Sequence, residues 1–223
     1  MEPLVSLAAA SLALVGTHFA LSHPLRAPLV RRLGAMGFQG FYSLVALGCV
    51  AWMTLAFRAA PAADLSGSGE VGWIVATVLT LPALVLFTGS LRGNPAMPDP
   101  RADRHALQEP SGIFRVTRHP MMWGFALWAL SHVVLWWSVR TLIVAGSVLV
   151  LALVGAHLQD RKKSELMGDA WARWSARTSY WPRWSALGRA GATVWLVGSA
   201  LWLALSWAHL PAASIPAGVW RWL

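Results

Sequence analysis

The chain has 223 residues, 57% of them hydrophobic and only 12% charged, with 15 tryptophans and two tyrosines. Ordinary soluble domains carry about 25% charge, so a soluble globular fold is excluded and an all-α polytopic membrane bundle is predicted. The net charge of +9 does not indicate nucleic acid, because no nucleic-acid motif accompanies it and the basic residues sit in short loops between apolar runs.

Six segments approach the roughly 20 apolar residues that a membrane span needs: Leu4–Leu21, Gly40–Phe57, Val71–Leu91, Met121–Trp137, Leu142–Leu158 and Thr193–Leu210. The first lacks a basic leader region and reads as a retained span, not a cleaved signal peptide. Pro82 predicts a kink in the third, tolerated where neighbours satisfy the freed carbonyl. The fourth and fifth are separated by so few residues that they form a tight antiparallel hairpin, and Gly146, Ser147 and Gly155 suit close helix contact in the fifth. The stretch after Leu158 begins as a charged helix and then turns aromatic at Trp171, Trp174, Tyr180, Trp181 and Trp184. It predicts an amphipathic segment at the cytoplasmic interface, and Trp220 and Trp222 predict an interfacial anchor at the other end.

Fifteen of the 18 basic residues fall in the first, third and fifth loops. The positive-inside rule then places those loops in the cytoplasm and both termini outside. For a bacterium this is the inner membrane, with the lipid bilayer as the first partner. The lone Cys49 lies in an apolar run, which leaves no intramolecular disulfide and no cysteine metal cluster.

Charged and imidazole side chains inside spans are costly and mark function. His18 lies in the first span and His132 in the fourth, while Arg118-His119-Pro120 opens the fourth. Two histidines on different helices can hold haem iron or another transition metal, and imidazoles can equally act as polar glue between helices. On ideal helices His18 and His132 differ in depth by about 10–15 Å, so a tilted haem could bridge them where a bare ion could not; His119 is the better depth match to His18. Arg118 is a candidate anion or cofactor clamp, haem propionates being one target, or a snorkelling arginine. Arg26 and Asp160-Arg161 are candidates for a charge network at the same mouth. No nucleophile elbow, zinc helix or phosphate loop occurs.

The run Gly112-Ile113-Phe114-Arg115-Val116-Thr117-Arg118-His119-Pro120, followed by Trp123-Gly124, Trp128 and His132, resembles the NnrU family. So do His18 to Arg26, Tyr42-Ser43-Leu44, Asn94-Pro95 and Gln159-Asp160. The resemblance covers about residues 1–190, an NnrU-like transmembrane domain, with 191–223 left as a sixth span and tail. It implies a link to denitrification, that is, to nitrite and nitric oxide reduction. NnrU proteins are in turn similar to zeta-carotene isomerase, a membrane haem b enzyme whose ligand histidines match His18 and His132. That similarity implies haem b held by those two residues, with Arg118 and Arg26 facing its propionates and His119 near it, and a polyene or nitric oxide as ligand. The isomerase has another histidine near the end of its second span, where Phe57-Arg58 stands here. The alternatives are a non-enzymatic assembly factor for a respiratory reductase and, through a weaker resemblance to isoprenylcysteine carboxyl methyltransferases, an S-adenosylmethionine-dependent enzyme. The paired glutamates of those methyltransferases are absent, with Gln159-Asp160 and Glu165 in their place.

Overall fold

A computed structural model describes residues 2–61 and 67–223. Among the described residues the chain is helical throughout, with α1 Pro3–Ser22, α2 Arg26–Ala59, α3 Gly69–Gly89, α4 Ala102–Leu107, α5 Pro120–Leu135, α6 Val139–Met167, α7 Asp169–Arg177 and α8 Ala192–Ala213. Five of these, α1, α2, α3, α6 and α8, are long and apolar enough to cross a membrane. The expected fourth span is α5, only 16 residues long. At 1.5 Å per residue it reaches about 24 Å, short of the ~30 Å hydrocarbon layer. It stops before Trp137 because Trp136 is extended (φ −131°, ψ 103°). Ser138 then caps α6 by accepting a hydrogen bond from Thr141 N–H, and this makes the hairpin turn.

The long helices pack in the order α2, α1, α6, α5, α3, α8. Close approach depends on glycine, but not at the positions expected. A β-carbon on Gly146 would meet nothing within 4 Å, and one on Gly155 only the Phe19 ring at 3.9 Å. On Gly124 of α5 it would lie 2.7 Å from Ala83 O of α3, and on Gly198 of α8 3.0 Å from the Val85 backbone. The tight seams are therefore α5 on α3 and α8 on α3. Elsewhere the apolar side chains face outward: Leu44, Leu47 and Leu55 of α2 are all more than 60% exposed, as suits a helix surrounded by lipid.

Three further segments depart from expectation. Helix α2 starts well before Gly40, because the chain is already helical from Arg26 and merely kinks at Gly34 (φ 70°). The aromatic face of the amphipathic α7 turns into the protein: Trp171 and Trp174 are each only 2% exposed, and Trp174 stacks edge-on against Phe114 at 5.5 Å. The exposed tryptophans of that region are Trp181 and Trp184. The tail docks back on the bundle, with Trp220 Nε1 donating to Leu203 O at 3.1 Å and Trp222 Nε1 to Glu70 at 2.7 Å. The C-terminal ends of α1, α3 and α6, the N-terminal ends of α2, α5 and α8, and helices α4 and α7 gather at one end of the bundle, where most of the arginines and lysines lie. We call this end the basic face.

Candidate functional site

At the basic face, α5 begins with His119 as N-cap and Pro120 at the first helical position, where a missing N–H costs nothing. The residues before it are sewn to the segment that follows α7. Arg118 N–H donates to Ser179 O at 2.9 Å, and Arg183 N–H donates to Val116 O at 2.9 Å. The fully buried Thr117 hydroxyl lies between Ser179 O and Tyr180 O, at 3.1 and 2.8 Å. Trp123 Nε1 donates to Tyr180 O at 2.9 Å, and the Tyr180 hydroxyl to Leu153 O at 3.0 Å. Arg118 and His119 therefore sit on a rigid backbone.

Asp160, in the last turns of α6, joins them. Arg118 Nε approaches both carboxylate oxygens at 3.0 and 3.1 Å, and Nη2 adds a third contact to Oδ2. His119 Nε2 lies 2.8 Å from Asp160 Oδ1 and His119 Nδ1 3.2 Å from Gln159 Oε1. Gln159 cannot turn its amide, because its Nε2 donates to Ala96 O at 3.0 Å. Both ring nitrogens thus face oxygen atoms of α6 side chains. The His119 side chain is 0% exposed, against 14% and 20% for Arg118 and Asp160, so the triad is shielded from the solvent screening that weakens surface pairs. Neighbouring Lys163 donates to Pro95 O at 2.7 Å and Met97 O at 3.1 Å, which pins the proline-rich loop beneath α6. Burial, reinforced by the Asp160 charge, pushes the Tyr180 phenol above its ordinary range; the nearby Arg118 opposes this.

The two span histidines stand apart from this triad and from each other. His18 donates from Nδ1 to Leu14 O at 3.0 Å and meets the Tyr42 ring edge-on at 5.2 Å. His132 contacts Trp128 O through Nδ1 at 2.8 Å and lies against the Trp128 ring at 4.3 Å. In both, the carbonyl fixes the proton on Nδ1 and, among the described residues, Nε2 has no hydrogen-bond partner, which leaves its lone pair available to a ligand. Their helices both border α6 but do not pack on each other. Phe19 lies beside Gly155 and His119 beside Asp160. Counting from these two contacts, His18 is about 7 Å and His132 about 20 Å inside the basic face. The two imidazoles therefore lie at different depths, about 13 Å apart along the bundle axis. Among the described residues, no group of three or more His, Cys, Asp or Glu side chains is placed to hold a metal ion. Arg26 lies near enough to Lys162 and Lys163 for their charges to interact, and the hydrogen bonds and ion pair of Asp160 go to Arg118 and His119 instead.

Of the candidate site residues, Arg118 and His119 come together and His18, His132 and Arg26 remain separate. Asp160, a candidate only for a network, proves to be its centre. Gln159 and Tyr180, and the backbone of Ser179, complete it. Gln159-Asp160 belonged to a recognisable motif, but its pairing with Arg118-His119, 40 residues earlier, had no local signal.

The fold and this network define a polytopic helical membrane protein with an ionic triad at its basic mouth. The NnrU protein family matches residues 6–217, and the chain belongs to that family. Over 74 residues it is 38% identical to 15-cis-zeta-carotene isomerase, chloroplastic, of Zea mays; the match spans 32% of this chain and only 20% of that relative. No solved structure matches.

Proposed function

We propose that this NnrU protein is a haem b protein of the bacterial inner membrane, with its basic face in the cytoplasm and isomerase-like chemistry on an apolar polyene. Its setting would be that of nitrite and nitric oxide reduction. The observation that carries the reading is the pair of span histidines with Nδ1 tied to their own helices and Nε2 free, in a chain similar over part of its length to an enzyme named as a carotene isomerase. When bound, haem would supply a redox-active iron whose ligand set tunes its potential. His132 and His18 would hold it through Nε2. Trp128, stacked on His132, keeps that ring in place, and Tyr42 does the same for His18. Arg118, held by Asp160, keeps Nη1 free of protein partners among the described residues and is the better placed of the two arginines to meet a carboxylate.

The test is haem occupancy of single variants in mild detergent. His132→Ala and His18→Ala are each expected to remove most of the bound haem while the helical content is unchanged. Full occupancy in both variants would reject the two histidines as ligands. Turnover of a cis-polyene and binding of nitric oxide by the reduced protein then separate isomerisation from gas sensing. A protein without haem that copurifies with a respiratory reductase would favour the accessory-factor reading.

A further inference from the structure

Two open cavities meet at Arg118 and Asp160. One, of about 450 Å3, is lined by Arg118, Asp160, Arg161, Ser164, Glu165 and Trp171. The other, of about 570 Å3, is lined by Arg118, Asp160, Leu153, Val154, His157 and Tyr180, and reaches Trp181. Sharing two residues, they form one trough along α6. Its inner half is apolar and lies beside the lipid-facing Val154 and Trp181, which are 43% and 67% exposed. Its outer half is polar.

The charges of the outer half are not spent on each other. Asp160 is saturated by Arg118 and His119. Arg161 and Glu165 are both exposed, stand one turn apart on α6, and among the described residues form no ion pair. Arg preceding Glu by four residues is the weaker order for such a pair. Among the described residues Arg118 bonds through Nε and Nη2 only, which leaves Nη1 without a partner there. The trough thus offers two cationic groups and, about 6 Å along the helix axis, one carboxylate, beside an apolar channel open to the bilayer. A ligand complementary to it carries an anion, an amine a short spacer away and an apolar chain.

We propose that the trough binds a phospholipid with a primary-amine headgroup, a phosphatidylethanolamine. Its phosphate lies against Arg118 Nη1 and Arg161, its ammonium against Glu165, and one acyl chain runs past His157 along Leu153, Val154 and Trp181. A primary ammonium donates three hydrogen bonds that a carboxylate accepts; a quaternary one donates none, and the terminal glycerol of phosphatidylglycerol offers only neutral hydroxyls, whose bonds to Glu165 lack the charge assistance.

The test is lipid retention by the full-length protein, purified in mild detergent, exposed to an equimolar mixture of phosphatidylethanolamine, phosphatidylglycerol and phosphatidylcholine with identical chains, and read by native mass spectrometry. Phosphatidylethanolamine is expected to be retained in preference. Glu165→Gln should reduce its advantage about tenfold, the loss expected for one charge-assisted contact, and Arg161→Ala should weaken both phosphatidylethanolamine and phosphatidylglycerol. Arg189→Ala, a change of an exposed arginine outside the trough, should have no effect. Equal retention of the three lipids, preference for phosphatidylglycerol, or a Glu165→Gln variant identical to the parent would overturn the proposal. So would saturable binding of S-adenosylmethionine that excludes lipid. Because Glu165 and Arg161 are exposed, neither substitution threatens the fold, and since neither residue is assigned to haem, each variant is compared with the parent at equal haem content.

Discussion

Asp160 is a single carboxylate that two side chains, Arg118 and His119, both contact, and this governs what its removal does. Breaking a buried ion pair by deleting one member is costly because it strands the other charge. Here it would strand Arg118 and leave the buried His119 Nε2 without its partner. Asp160→Asn keeps the shape but removes the charge, and we expect it to lower stability by on the order of 3 kcal/mol, measured as a fall in the detergent melting temperature. Lys162→Ala, which breaks no ion pair, should change it little; equal effects would mean that the triad is worth no more than a surface pair. At this scale the sequence was partly legible. Arg118-His119-Pro120 stood out because charge beside an apolar run is rare. What was hidden is that His119 uses both ring nitrogens on Gln159 and Asp160, since a contact across 40 residues depends on the packing of α5 against α6.

Between elements, the fold is set by where backbones come closest. Gly124→Ala would push a β-carbon to within 2.7 Å of Ala83 O, and overpacking of this kind costs roughly 1–3 kcal/mol. Gly146→Ala meets open space and should be neutral or slightly stabilising through better helix propensity. Thermal denaturation of the two variants side by side checks the assignment, and a reversed order would contradict it. Every apolar run predicted from hydropathy became a helix, because backbone groups in lipid have few other ways to pair. Helix ends and partners were less legible. The tryptophans of α7 read as membrane-facing from spacing alone, yet Trp174 is buried against Phe114 and Trp171 against His119, because amphipathicity says that a face is covered without saying whether lipid or protein covers it.

Over the whole molecule, the basic residues gather at one end, which we propose faces the cytoplasm. With Cys49 replaced by serine, a cysteine introduced at exposed Arg173 should react with a membrane-impermeant maleimide only in inverted vesicles, and one at exposed Leu223 only in intact spheroplasts; the opposite pattern would invert the topology. In the order α2, α1, α6, α5, α3, α8, α1 and α5 are both neighbours of α6 and do not pack on each other, so the pairing of His18 with His132 that the resemblance implies has no direct helix contact behind it. The central claim is that this arrangement carries haem b. An absorption spectrum of the purified protein, oxidised and then reduced with dithionite, tests it most directly. The account predicts a sharp low-spin haem b spectrum that is lost in His132→Ala; a colourless protein, even when haem is supplied during expression, would contradict it.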